Sequence, residues 1–331
     1  MATRCTEYTE EEHSAMLQRQ MELFGISVGS HSAPKMYKFE GVTFNTSMPP
    51  EIIVGVRDWN TRQEDIFIST YPKSGTHWMY EIVLLILADG YSEKIDRSQM
   101  ISHMIEMMYP PDLTRPIYEI FDEKGSPRVI LSHLPWQFLP KQLTEQKKGK
   151  VIYVTRNPND ILASMSRFIL ASSGKEKDEI IWKYLINTFL TGDASYGSWF
   201  DHVERYWEQR NQGNVFFTSY EQLKKDFRSV VKPLSKFLGH ELDEDALDRV
   251  EEKSSVKAMK KTYDDIERNI PGGAEMVKAM GKNSFIQKGV IGSWKDYFTV
   301  AENELFEEVC KEKMANWDKN LYFEWHNLLL R

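Results

Sequence analysis

Thr70 to Trp78 reads TYPKSGTHW, placing a lysine, two hydroxyl side chains and a glycine between an apolar run and a helical pattern. That grouping suits an oxyanion. Gly75 lets the backbone turn tightly and approach a ligand with no Cβ in the way. The N–H groups that open the following helix then face the anion. Lys73 adds a full charge, and Ser74 and Thr76 add donors. An ordinary turn would account for Pro72 and Gly75, but not for a lysine, two hydroxyls and the aromatic Trp78 in so few positions. The loop is not the usual triphosphate cradle, which needs Gly, four residues, then Gly-Lys-Ser/Thr. Here the lysine precedes the glycine.

Two further segments have the same character. In YVTRNPNDILASMSRF, Tyr153 to Phe168, Arg156 ends a strand pattern and Ser164 follows eight residues later, about two helical turns on. A guanidinium there can hold a phosphate with two parallel bonds; its bland alternative is an ion pair with Asp160. In FIQKGVIGSWKDYFT, Phe285 to Thr299, Lys288 and the Gly289 amide offer a second anion contact. His133, in LSHLPWQFLP, ends another short strand pattern, and an imidazole suits proton removal near neutral pH.

Together these segments resemble the cytosolic sulfotransferases that use 3′-phosphoadenosine 5′-phosphosulfate (PAPS), over about residues 50 to 310. The resemblance implies sulfuryl transfer to a small acceptor. Lys73, Ser74, Gly75, Thr76 and His77 match the 5′-phosphosulfate loop, while Arg156, Ser164, Gln287, Lys288 and Gly289 match the contacts to the 3′-phosphate. Trp78, Tyr220, Ser254 and Val256 match positions around the adenosine. His133 matches the general base, Lys73 the residue that stabilises the leaving oxygen, and Ser164 a restraint on that lysine. No metal is implied. Lys295, Thr299, Val300 and Glu304 match the family's dimerisation motif, implying a homodimer.

The chain departs from the family pattern at four places. Leu131 stands where a lysine is usual, Gln287 where an arginine is usual, and Ser293 where an aspartate is usual; His77 replaces a threonine. These departures motivate the alternative of a PAPS-binding protein with weak or no turnover. The retained Lys73, His133, Arg156 and Ser164 argue for an enzyme. The acceptor pocket is expected to be apolar, near Met107, Met108, Tyr109, Trp136 and Phe168. It favours a hydrophobic hydroxyl compound (phenol, sterol or other alcohol), with an amine left open.

Positioning these groups calls for alternating strands and helices. Strands are expected at Ile66–Tyr71, Val129–His133, Val151–Thr155 and Asn214–Ser219, and helices at Thr76–Ala88, Pro158–Phe168 and Tyr196–Gln212. Further helices are expected up to 262 and from about 300 to 318. Such alternation implies a single α/β domain with a parallel sheet covered on both faces and ligands at the strands' carboxyl ends. Residues 1–45 read as an N-terminal arm with a short amphipathic helix, Thr9 and Glu12 having capping-box spacing and Gly25 ending it. Residues 46–331 form the domain, with 89–126 irregular.

The bulk numbers agree. A chain of 331 residues, 41% hydrophobic, can bury one sizeable core, and its net charge of −7 disfavours nucleic acid. Two distant cysteines, Cys5 and Cys310, make neither a disulfide framework nor a zinc pattern, and suit a reducing, cytoplasmic setting. No apolar run approaches membrane-spanning length.

Overall fold

The computed structural model describes residues 5–7, 36–46, 48–97, 104–107, 115–170, 178–269 and 289–321. Its centre is a parallel sheet of β4 (Ile66–Thr70), β5 (Val129–Ser132), β6 (Lys150–Thr155) and β7 (Val215–Ser219), in the order β5-β4-β6-β7. All three neighbouring pairs run parallel. β4 is buried along its whole length, which is why it opens on three consecutive apolar residues, Ile66, Phe67 and Ile68, rather than alternating.

Each face of the sheet buries its own core. Phe67, Ile130, Val151, Tyr153 and Val215 point to one side, against α1 (Pro50–Asp58), α3 (Ile117–Asp122) and an N-terminal hairpin. Ile66, Ile68, Val129, Leu131, Ile152 and Val154 point to the other. There they meet α2 (Thr76–Leu87), α9 (Phe227–Leu238) and α10 (Glu244–Lys253). A third core joins α5 (Pro158–Leu170), α6 (Glu179–Thr191), α7 (Trp199–Glu208) and α12 (Val300–Lys313).

Within the described residues, the expected strands and helices occur with their ends moved by several residues. Tyr196–Gln212 is helical only over Trp199–Glu208, its start capped by Ser198, and the helix expected to about 318 ends at Lys313. The turn-rich stretch after residue 26 contains β2 (Met36–Phe39) and β3 (Val42–Asn45), an antiparallel hairpin that also pairs with β1 (Cys5–Glu7). Phe39 and Phe44 are fully buried in the main core, so Met36–Asn45, read from sequence as part of an arm, is built into the body. Ile117–Asp122 is likewise ordered helix within the stretch read as irregular. The expected helix between Thr9 and Gly25 lies outside the described residues.

The sheet's register brings β4, β5 and β6 to end together, at Thr70, Ser132 and Thr155. Lys73, His133 and Arg156 follow those ends by one to three residues.

Candidate active site

Between β4 and α2 the backbone takes two left-handed turns, at Lys73 (φ +70°) and at Gly75 (φ +101°), the helix N-cap. A Cβ at Gly75 would meet Tyr220 Cδ2 at 2.8 Å, so both the conformation and the space require glycine. The loop is held from the neighbouring strand: Arg156 Nη1 donates to the Lys73 carbonyl at 2.9 Å, and its guanidinium lies 4.3 Å from the Tyr220 ring centre. Thr70 and Thr76 hydroxyls meet at 2.7 Å across the loop's base.

Lys73, Gly75, Thr76, His77, Trp78, Arg156, Ser164, Tyr220, Val256 and Gly289 line one pocket. Ser74 Oγ is buried, as is Arg156 Nε, and among the described residues neither has a hydrogen-bond partner. Buried donors left in that state fit an oxyanion that would satisfy them. Ser254 supports the pocket indirectly, its carbonyl accepting from Trp78 Nε1 at 3.0 Å. Trp78 and Tyr220 meet edge to face at 5.2 Å. Gln287 and Lys288 lie outside the described residues.

Two cations not singled out from the sequence join this pocket. Arg167 and Lys224 line it, with Lys224 Nζ 4.6 Å above the Trp78 ring. Burial, then Arg156 and Arg167, pushes Lys73 down to about 7. Arg167 Nη2 donates to Ser293 Oγ at 3.2 Å. Asp160 accepts from Gly292 N, Trp294 N and Ser293 Oγ at 2.8, 3.0 and 3.2 Å, anchoring the C-terminal loop on α5.

His133 is gripped at three points. Its Nδ1–H donates to the Thr70 carbonyl at 2.8 Å, fixing Nε2 as the unprotonated nitrogen of the neutral ring. Its N–H donates to Glu106 Oε1 at 2.8 Å, and its carbonyl accepts from His202 Nε2 at 3.0 Å. His202 Nδ1 in turn accepts from the Tyr153 hydroxyl at 2.8 Å. Burial, opposed by the Thr70 contact and reinforced by Lys73, brings His133 down to about 4. Burial brings His202 to about 3.

A second cavity, about 320 Å³ and mostly apolar, adjoins the first. Met104, Met107, Leu162, Phe168, Leu185 and Phe189 are among its walls, and Lys73, His77 and His133 line both cavities. Of the expected acceptor residues, Met107 and Phe168 are there. Trp136 instead packs on Tyr206 in the main core, and Met108 and Tyr109 lie outside the described residues. Leu131 is fully buried among residues of the α2 face, bridged to Met104.

The sulfotransferase domain family matches residues 63–318. The chain belongs to that family. Mouse sulfotransferase 1B1 is 37% identical over 265 residues, covering 78% of this chain and 86% of the relative. The 3-beta-hydroxysteroid sulfotransferase of Cavia porcellus is 37% identical over 295 residues, covering 87% and 96%. Among solved structures, mouse sulfotransferase SULT7A1 complexed with PAP is 32% identical with a TM-score of 0.66, covering 85% of this chain and 95% of that one. Retinol dehydratase in complex with androsterone and PAP has the same fold, at a TM-score of 0.73 and 20% identity over 96% and 98% of the two chains. The protein is a PAPS-dependent sulfotransferase of single-domain α/β fold.

Proposed function

We propose that the protein transfers a sulfuryl group from PAPS in line to a hydroxyl of a small hydrophobic acceptor, with His133 Nε2 taking the acceptor's proton. The observation that carries this is the shared wall: Lys73, His77 and His133 border both the cationic pocket and the apolar cavity. A donor in the first and an acceptor in the second would meet at those side chains, which is the positioning that group transfer requires. Lys73 then offsets charge on the leaving bridging oxygen, and Arg156, Ser164 and Gly289 hold the 3′-phosphate with Gln287 and Lys288. Trp78, Tyr220, Ser254 and Val256 surround the adenosine. The relatives named for steroids and the retinol- and androsterone-bound neighbour support an apolar alcohol as acceptor.

A homodimer through Lys295, Thr299, Val300 and Glu304 belongs to the same reading. All four are exposed, Val300 at 76%, at the start of a helix whose cap is satisfied internally by Thr299 and Glu302. A cytoplasmic setting rests on the sparse cysteines.

The test is PAPS-dependent sulfation of a panel of phenols, sterols, aliphatic alcohols and amines, without added metal, read as adenosine 3′,5′-bisphosphate formed. Turnover that is lost in His133→Ala supports the reading and names the acceptor class. Tight nucleotide binding with no turnover on any acceptor would leave the binding-protein alternative standing instead.

A further inference from the structure

Glu106 is fully buried beside the presumed transfer centre, and nothing so far gives it a role. It sits on a short stretch fastened to β5: Met104 bridges Leu131, and the Ile105 N–H donates to the Leu131 carbonyl at 2.8 Å. That attachment aims the carboxyl group at the residues just beyond the strand. Oε1 accepts from His133 N at 2.8 Å and Oε2 from Ser132 Oγ at 3.0 Å. Ser132 Oγ accepts in turn from Leu134 N at 3.0 Å, so one carboxyl group organises the backbone on both sides of His133. The Tyr196 hydroxyl also bonds Glu106, and the Tyr196 ring lies edge-on to the His133 imidazole, 5.4 Å between centres.

Every one of these contacts asks the carboxyl to accept. Both carboxyl oxygens accept, a pattern that an amide with its single oxygen would match only in part, and burial disfavours the carboxylate, raising Glu106 to about 7. Those bonds orient the carboxyl group, and its charge can act on the base they hold. Burial and Lys73 both oppose a protonated imidazole there, yet a base must become protonated as it works. A carboxylate bonded to the backbone N–H of His133 itself places a negative charge on the side of that state.

We propose that Glu106 is a positioning residue for the base: its carboxylate fixes the direction of His133 and stabilises the imidazolium formed as the acceptor loses its proton. This rests on the reading of His133 as base. It predicts that the residue matters in proportion to how much the acceptor needs a base at all.

The experiment compares wild type, Glu106→Gln and His133→Ala on acceptors graded in acidity. Substituted phenols from nitrophenol to methoxyphenol serve, or fluorinated against plain alcohols if the panel assigns an aliphatic acceptor. Glu106→Gln should lower kcat about 10- to 100-fold on the least acidic acceptor, within the range of general-base effects, and little on the most acidic. His133→Ala should show the same grading more steeply. KM for PAPS and calorimetric affinity for adenosine 3′,5′-bisphosphate should stay within about twofold of wild type, as expected for an interaction confined to the transition state. A loss equal on all acceptors, or no loss, overturns the proposal while leaving His133 as base. A flat His133→Ala series removes the base assignment and the proposal together. If Glu106→Gln fails to bind nucleotide, Glu106→Asp and Ser132→Ala carry the same comparison, Glu106→Asp keeping the charge and therefore a shallower grading.

Discussion

Lys73 makes the clearest demand on experiment. Its ammonium is crowded by burial, Arg156 and Arg167 to a value of about 7, so above that pH the empty site holds it largely neutral. A bound 5′-phosphosulfate or 5′-phosphate supplies negative charge and returns the group toward its ordinary value near 10.4. Binding must then draw a proton from solution. With a free value of about 7, the uptake is about 0.9 proton per nucleotide at pH 8, about 0.5 at pH 7 and about 0.1 at pH 6. The sign follows for affinity: it is full below pH 7 and weakens as pH rises, about fivefold from pH 7 to 8 and about tenfold over the next unit. Nucleotide phosphates, with a second pKa of about 6, are already ionised at pH 8 and add nothing there. Calorimetric titration of adenosine 3′,5′-bisphosphate in buffers of different ionisation enthalpy measures the uptake directly. Lys73→Met should abolish it, and Arg167→Gln should reduce it at pH 8 by relieving one of the repulsions. Zero uptake by wild type at pH 8 would refute the idea that the three cations are held in mutual conflict.

Arg156→Ala should weaken adenosine 3′,5′-bisphosphate binding about tenfold to a hundredfold, the value of one charged hydrogen-bonding group, measured by the same calorimetry. Gly75→Ala should lower the melting temperature and the nucleotide affinity together. A left-handed non-glycine residue costs about 1–2 kcal/mol, and the new Cβ also displaces the Tyr220 ring. Arg128→Met should destabilise the fold by about 3–5 kcal/mol in urea melts, because it strands Asp65. Both partners are fully buried and joined by two short bonds, with Trp59 stacked 4.2 Å from the guanidinium. Arg128→Met with Asp65→Leu should recover most of that loss.

The anion loop was legible because its residue types are unusual together and because a strand opening Ile66-Phe67-Ile68 and a helix rich in Ile, Val and Leu flank it. The sheet was legible for the same reason: four short β-branched or aromatic runs, each followed by turn chemistry. What escaped were features fixed by contacts distant in sequence. The hairpin Met36–Asn45 has only four residues per strand, and its rings find their partners in Phe138 and Tyr196, far along the chain. Glu106, inside IEMMYPP, reads as an interruption in an apolar patch; only the bridge to Leu131 sets it against His133. Arg167 and Lys224 had a usable signal. Ser164 with Arg167, and Tyr220 with Lys224, are spaced three and four apart on helices and so share a face.

These pieces give the site an internal order. Without nucleotide, Lys73 and the guanidinium groups of Arg156 and Arg167 repel one another, and below pH 7, where Lys73 keeps its charge, that charge adds to the burial that depresses His133. The anionic donor offsets the cationic part of that opposition, the larger part being burial. On this reading His133 gains basicity only once a sulfuryl group is present to be transferred. The contacts that hold His133, from Thr70, Glu106 and His202, come from residues outside that cationic group, so its direction is set in advance while its proton affinity waits for the donor. Leu131 fits the same logic. Buried on the α2 face, it adds no further cation beside an imidazole already opposed by one.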